Sequence, residues 1–347
     1  MGGMFRRIAA PVMVVVVVGA GACGSGDSGR SAAALRYEAE QRQVQAVGRE
    51  VISQLRDGDI AAVAARFSPE MAARVTPTEL EGLVRELRAA GGVGLRTDEG
   101  ELIQGPDSRV YQAEHQVGGG RWTFGLAFDE GDGIVGGEIR PAFEPLPPDP
   151  KAGYQPRATL RFPLEGEWFV YWGGDRDLTN YHVRAPDQRH AYDLVVWRDG
   201  GTHRGEGRDN DEYWAWGQPI HAPAAGTVVV AVDGTPDSQP AAGAVPGTHP
   251  AGNHVLLDVG EGEYLLLAHF QKDSVRVKAG DKVTEGQVLG LVGSSGNSSE
   301  PHLHVHLQDS PTPLSGRGLP LPFSDLIVDG HQTDKAPLEQ GQFVRAD

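Results

Sequence analysis

The chain has 347 residues, with 31 Lys and Arg against 47 Asp and Glu, a formal net charge of −16, 12 His and one Cys. At roughly 100–200 residues per domain this length predicts two folded domains, and the acidic balance excludes a protein that works by neutralising nucleic-acid phosphates. A single Cys excludes intrachain disulfides and Cys-rich zinc sites, so any metal would rest on His and carboxylates.

Residues 1–22 have the layout of an export signal: Arg6 and Arg7, an apolar run from Ile8 to Val18, then the small residues Gly19 to Ala22. The run is shorter than the ~20 apolar residues a bilayer span needs. Ala20-Gly21-Ala22-Cys23 follows and resembles the lipobox of bacterial lipoprotein precursors. That resemblance implies lipidation of Cys23, cleavage before it, and a mature chain held by a lipid anchor on the extracytoplasmic face of the cell membrane. Residues 23–35, beginning with the Gly/Ser-rich stretch Gly24 to Gly29, read as a flexible tether.

Residues 35–90 read as helices. Val44, Val47, Val51 and Leu55 recur at helical spacing before the stop Asp57-Gly58-Asp59. Ser68-Pro69 starts a short helix, and Thr76-Pro77-Thr78-Glu79 combines an N-cap, a first-turn proline and a capping-box Glu. Leu80, Leu83, Val84 and Leu87 give that helix its buried face, and Gly91-Gly92 stops it. From Leu102 to Ile139 the period becomes two, with Trp122, Phe124, Leu126 and Phe128 alternating after the turn Gly118-Gly119-Gly120. Helices followed by an antiparallel meander make residues 36–142 an α+β domain. The pattern resembles the NTF2-like group of small helix-plus-curved-sheet domains, some of which are enzymes using a His/Asp pair. His115 fits that role by type, but a lone strand His is more often structural, so a non-catalytic spacer or binding module is the preferred expectation.

Residues 143–157 hold Pro145, Pro147, Pro148, Pro150 and Pro156 and read as a semi-rigid linker. Residues 158–330 are strand-dense with Gly, Asp and Asn turns, which predicts a mainly-β domain with antiparallel sheets, followed by a tail, 331–347. Two excursions interrupt the strands, Arg198 to Gly217 and Gly234 to Gly252, of a length usually functional or disordered.

Eleven of the twelve histidines lie from residue 182 onward. The tightest cluster is Pro301-His302-Leu303-His304-Val305-His306, in which an extended strand turns all three imidazoles to one face. Such a row is either a metal site or a solvated strand edge. No His-Glu-x-x-His helix is present, which excludes the zincin arrangement.

Five ordered segments are similar to the lysostaphin/LytM-type zinc endopeptidases of family M23. They are Gly217-Gln218-Pro219-Ile220-His221-Ala222-Pro223 through Val228, Gly252-Asn253-His254-Val255, Leu267-Ala268-His269, Val277-Lys278-Ala279-Gly280-Asp281 through Gly290, and Gly293-Ser294-Ser295-Gly296-Asn297 through His304. The resemblance implies Zn2+ as cofactor, His304 as a zinc ligand, His302 as a catalytic histidine beside the attacking water, and His269 as the upstream catalytic histidine facing the developing oxyanion. Asp193, in Ala191-Tyr192-Asp193-Leu194, matches the ligand aspartate.

The first histidine ligand departs from the common pattern, because Arg189 stands four residues before Asp193. His190 is three residues away, and odd spacing on a regular strand turns it to the opposite face. Asn180-Tyr181-His182 and Gln188-Arg189-His190-Ala191-Tyr192-Asp193 resemble a subgroup that takes its ligand from the Asn-x-His segment, so His182 is preferred over His190. His306 stands where an acidic or polar residue is more usual and is left as an outer hydrogen-bonding group or a residue without a role. His203, His221, His249, His254 and His331 are expected to be solvated, and Glu206 to Glu212 is read as a solvated loop on the groove rim because it lacks the ligand alternation of an EF-hand.

The expectation is a monomeric, membrane-tethered zinc metalloendopeptidase that hydrolyses peptide bonds of peptidoglycan, with wall peptides as substrate and no nucleic-acid partner. The competing expectation is a degenerate domain that binds wall peptides or activates another hydrolase.

Overall fold

A computed structural model describes residues 29–89, 93–94, 102–103, 109–117, 119–242 and 247–347. The export signal, Cys23, most of the Gly/Ser tether, Gly91-Gly92 and Gly118 lie outside the described residues. The described residues divide into two compact units, one of Arg36–Pro145 and one of Leu146–Asp347 that also takes residues 29–35, the first four residues of the opening helix among them.

The first unit lays helices against an antiparallel sheet. Its helices are α1 (Ala32–Asp57), α2 (Ile60–Ala64), α3 (Pro69–Ala72) and α4 (Pro77–Ala89). Local chemistry sets their starts: the Ser68 hydroxyl accepts from Met71 N at 3.2 Å. Thr76 and Glu79 close a reciprocal box, Thr76 N donating to Glu79 Oε2 at 2.8 Å and Glu79 N to Thr76 Oγ1 at 3.3 Å. The strands are β1 (Val93–Gly94), β2 (Leu102–Ile103), β3 (Val110–Val117), β4 (Gly120–Phe128) and β5 (Ile134–Pro141), ordered β1-β3-β4-β5 with β2 also on β3. Val44, Val51, Ile52 and Leu55 from α1 meet Tyr111, Phe124 and Phe128 in one core. Gly48 allows the closest approach, since a Cβ there would lie 2.2 Å from the Tyr111 ring. His115 on β3 is buried, edge-on to Phe124 at 5.0 Å.

In the second unit the strands are β6 (Trp168–Trp172), β7 (Tyr192–Val195), β8 (Pro219–His221), β9 (Gly226–Val232), β10 (Asn253–Gly260), β11 (Glu263–Phe270), β12 (Lys282–Val283), β13 (Val288–Leu291), β14 (Leu303–Gln308), β15 (Gly318–Leu319), β16 (Leu326–Val328), β17 (His331–Thr333) and β18 (Phe343–Ala346). Eleven of them form one antiparallel sheet in the order β12-β9-β10-β11-β14-β7-β6-β18-β16-β17, with β15 also on β14, while β13 and β8 pair separately. Period-two side-chain alternation separates the two faces. On β14, Leu303, Val305 and Leu307 enter the main core with Leu194, Leu265, Leu267 and Phe270. The even residues His304, His306 and Gln308 face the other side, with Leu266 and Ala268 paired opposite on β11. Every residue of β14 is buried, so its polar face has to be satisfied within the protein.

The proline-rich segment read as a linker is, from Leu146 on, fixed to the second unit. Glu263 is the anchor, a fully buried carboxylate that accepts from Tyr154 Oη at 2.8 Å, Arg157 N at 2.8 Å and Ala158 N at 3.0 Å. Lys151 adds an ion pair to Asp309 at 3.0 Å. Proline stiffness is visible in a sequence, but the buried acceptor that captures the segment lies more than a hundred residues downstream.

Candidate metal centre and catalytic cleft

Strand register builds most of the site. In the β7/β14 pair Asp193 stands opposite His304, and in the β11/β14 pair His304 stands opposite Ala268, which places His269 at the adjoining end of β11. Opposed residues of antiparallel strands share a face, so the carboxylate and the imidazole meet: His304 Nδ1 lies 2.8 Å from Asp193 Oδ1. His182 comes from a single 3-10 turn, Tyr181–Arg184. Its Nε2 is 3.5 Å from Asp193 Oδ2, and its ring centroid is 4.8 Å from that of His304. His182, Asp193 and His304 are all buried and offer ligand atoms within 4.8 Å of one another.

Asn180 holds the turn-borne histidine. Its amide NH2 donates to Gly174 O at 3.0 Å and Ala191 O at 3.1 Å, which fixes its orientation because carbonyls only accept. Asn180 Oδ1 is therefore aimed at His182 and accepts from its Nδ1 at 2.8 Å and its backbone N at 3.2 Å. The proton of a neutral His182 sits on Nδ1, and the Nε2 lone pair faces Asp193.

His302 lies just before β14 rather than in it, on the same face. Its Nδ1 donates to Glu300 O at 2.8 Å, and Nε2 is 3.7 Å from Asp193 Oδ1. His269 packs against it at 4.7 Å between ring centroids. The His269 backbone adopts φ +64°, a left-handed conformation that costs a non-glycine residue about 1–3 kcal/mol and persists only where its surroundings over-determine it. Here Ala251 O accepts from His269 N at 3.1 Å, His269 O accepts from Gly293 N at 3.0 Å, and Ser295 O accepts from ring Nδ1 at 2.7 Å. Gly252 permits this crowding: at φ +55° a Cβ would lie 2.3 Å from the Ser295 carbonyl carbon and oxygen. With Nδ1 occupied, His269 Nε2 is its available atom. The cleft beside these residues is lined by Tyr181, His182, Gln188, Pro250, His269, Asn297 and His304.

Burial, the largest influence on His182, pushes its pKa down to about 3. His269 and His306 are driven well below the usual histidine value, again chiefly by burial. Burial alone would raise the Asp193 carboxyl, but His182, His302 and His304 outweigh it and hold it far below the usual carboxylate range. Among the described residues no Lys or Arg pairs with Asp193. A buried carboxylate without a fixed cation, facing imidazole nitrogens, fits a divalent ion.

His190 does not join the cluster. It occupies a turn before β7, where strand parity does not apply, and its Nε2 is 2.8 Å from Asp149 Oδ2. His254, expected to be solvated, is buried on β10, its Nδ1 donating to Gly252 O at 2.8 Å and its ring stacked on His249 at 5.0 Å. The excursion Arg198 to Gly217 is tied down, with Thr202 Oγ1 donating to Glu300 Oε2 at 2.9 Å and Asn210 Nδ2 to Ser238 O at 2.9 Å. Sequence reasoning missed Ser295, whose role is a backbone carbonyl that no residue type announces. It also left open His306 and passed over Gln308, although the alternation through His302, His304, His306 and Gln308 marks one strand face.

Two imidazoles, one from the sheet and one from a turn, meet a carboxylate in a buried cluster whose donor set could hold a metal ion, with two further histidines beside it. Residues 211–315 match the family model described as Peptidase family M23. The match includes His269, His302 and His304 and begins after His182 and Asp193, which the fold supplies from outside it. Peptidoglycan DD-endopeptidase ShyA of Vibrio cholerae is 34% identical over 172 residues, 49% of this chain and 32% of the relative. DD-carboxypeptidase/endopeptidase Mpg of Neisseria meningitidis is 35% identical over 85 residues, 24% of this chain and 18% of the relative. The chain thus spans a third or less of the length of these curated relatives. Among solved structures, the catalytic domain of lysostaphin from Staphylococcus simulans aligns with a TM-score of 0.25 and 21% identity, covering 49% of this chain and 88% of that one.

Proposed function

We propose that the protein is a membrane-tethered zinc metalloendopeptidase that hydrolyses peptide bonds of peptidoglycan. The observation that carries this reading is the convergence of His182 Nε2, the Asp193 carboxylate and His304 Nδ1, flanked by His269 and His302, with His269, His302 and His304 inside the stretch that matches the M23 family model. Two histidines and one carboxylate leave a fourth tetrahedral position open, the arrangement of a catalytic rather than a structural zinc. When bound, zinc supplies Lewis acidity toward a scissile carbonyl and lowers the pKa of water to about 7.

The chain's own residues supply the rest. His302, with Nδ1 donating to Glu300 O, presents Nε2 to take a proton from the attacking water. His269, with Nδ1 donating to Ser295 O, presents Nε2, which in the protonated form donates to the oxyanion of the tetrahedral transition state. The strained backbone of His269 holds that donor before substrate arrives. The substrate class rests on the two curated relatives, whose names specify peptidoglycan DD-endopeptidase and DD-carboxypeptidase/endopeptidase activity.

The tether belongs to the same proposal: lipidated Cys23 holds the domain at the extracytoplasmic face of the membrane. No helix among the described residues is long and apolar enough to cross a membrane. The first unit acts as an NTF2-like spacer or binding module. Mass spectrometry of muropeptides released from purified sacculi, with and without a chelator, tests the activity. Zinc-dependent release of cleaved peptides is expected. No release from the zinc-loaded protein would replace the reading by a domain that binds wall peptides without cutting. Mass analysis of the membrane-extracted chain tests the tether, with an unmodified Cys23 as the overturning result.

A further inference from the structure

We propose that His306 and Gln308 form a buried relay that fixes a proton on Nε2 of His304 and leaves Nδ1 as its ligand atom, so that His304 is set as a ligand before metal arrives. The inference rests on reading His182, Asp193 and His304 as a metal centre, and extends it to two residues that touch neither metal nor substrate. They are positioning residues.

The argument begins at the far end. Gln308 Nε2 donates to Ser310 O at 2.6 Å and to Thr312 O at 2.7 Å. Both partners are carbonyls and can only accept, so the NH2 end of the amide must face them. The Gln308 Oε1 atom is thereby turned to His306, 2.9 Å from its Nε2. An amide oxygen cannot donate, so His306 Nε2 carries a proton. A second proton on His306 would bury an imidazolium, fully enclosed, between an amide oxygen and another imidazole with no counter-charge in contact, so the ring keeps the one proton on Nε2 and Nδ1 is a lone pair. That lone pair lies 2.8 Å from His304 Nε2, which must carry a proton to meet it. The remaining nitrogen of His304, Nδ1, takes no proton from the row and is aimed at Asp193 Oδ1 at 2.8 Å. Two acceptors at that distance repel unless a positive charge lies between them, which a metal ion supplies when bound and a second, exchangeable proton on Nδ1 supplies when it is absent, the form in which His304 helps hold the Asp193 carboxyl low.

The other imidazoles of the cleft need no such relay. His182 is fixed by Asn180 Oδ1, His269 by Ser295 O and His302 by Glu300 O, each an oxygen that can only accept. The far nitrogen of His304 instead meets a second imidazole, a partner that can donate or accept, so one further fixed group is required. His304, His306 and Gln308 are 3%, 0% and 0% exposed, which keeps water from exchanging protons into the row.

Long-range 1H–15N correlation of histidine ring nitrogens in the 15N-labelled protein, recorded metal-free and zinc-loaded at neutral pH, reads the tautomers directly. The expected spectrum has His306 protonated on Nε2 and bare on Nδ1 in both states. A proton on His306 Nδ1 in either state overturns the relay. Chelator competition supplies the second readout: His306→Leu weakens zinc binding about 10–100-fold, the usual cost of losing an outer partner of a metal-ligating histidine, and His306→Gln, which keeps an acceptor, recovers most of the loss. Wild-type zinc affinity in a folded His306→Leu protein also overturns it. If His306→Leu does not fold, the wild-type spectra decide. If the wild-type protein takes up no zinc, the metal reading fails, while the metal-free spectrum still decides the relay.

Discussion

The two histidines that converge on Asp193 arrive from different local structures. His304 stands on a strand paired on both sides, and its position follows from register with Asp193 and Ala268. His182 stands on a one-turn 3-10 helix, where no ladder fixes it, and Asn180 supplies the constraint through four hydrogen bonds. A strand histidine inherits its placement from the sheet, whereas a turn histidine needs its own clamp. The strand arm spends its outer hydrogen bonds on the tautomer, the turn arm on place and tautomer together.

The most severe way to break the comparison is to remove either ligand. His182→Ala and His304→Ala should each abolish stoichiometric zinc and sacculus digestion, as should Asp193→Ala. Metal analysis of the purified variants checks this, and full zinc retention by His182→Ala would remove the turn arm from the centre. Next in size is the loss of a cleft histidine that is not a ligand. His269→Ala should retain zinc while kcat falls about 10²–10⁴-fold, the usual contribution of a positioned acid–base group.

Asn180→Ala tests the turn arm specifically. It leaves Gly174 O, Ala191 O and His182 Nδ1 without their partner, at about 1–3 kcal/mol for each buried group so exposed, and should lower zinc affinity about 10–100-fold. Denaturant unfolding of the metal-free variant and zinc competition measure the two effects. A variant with reduced stability and unchanged affinity would show that the clamp serves the fold and not the ligand.

These arms also differ in how readable they were. The strand arm is legible because period two and His-x-His put chemistry on one face, and His304, His302 and Asp193 could be placed from sequence and family resemblance. The turn arm is not legible from periodicity. Parity correctly describes strands, but residues 188–190 form a turn, so His190 is removed by its hydrogen bond with Asp149 rather than by its face. What fixes the cleft histidines is largely backbone carbonyls and distant amides, Ser295 O, Glu300 O and Gln308 among them, and their positions exist only once the sheet has formed. The linker was misread for the same reason, since Glu263 is too far away in sequence to be seen as its anchor.

Acid probes both arms at once. His182, His269 and His306 have folded-state pKa values below the usual histidine value of ~6.5, so below that pH the unfolded chain binds protons the folded chain refuses. Unfolding free energy then rises with pH across this window: the stability is fully present above ~6.5 and is lost as pH falls toward about 3, the folded value of His182. Asp193, held low, keeps its contribution above ~3.9 and loses it only in stronger acid. Thermal unfolding of metal-free protein should therefore weaken steadily from neutral pH downward, and a flat profile between pH ~6.5 and ~4 would show that the imidazoles are not buried neutral.

The smallest effect is expected at His190, and it separates the arms most cleanly. His190 lies three residues from Asp193 in sequence, yet its Nε2 is committed to Asp149 at 2.8 Å in a partly exposed pair. Burial lowers the pKa of His190, so the contact is a hydrogen bond from a neutral imidazole, worth about 1–3 kcal/mol, and its partner belongs to the docked proline-rich segment rather than to the cleft. His190→Ala should therefore leave zinc stoichiometry and kcat unchanged and loosen residues 146–157 locally, visible as faster amide exchange there. Loss of zinc in His190→Ala with retention in His182→Ala would exchange the two histidines and relocate the turn arm.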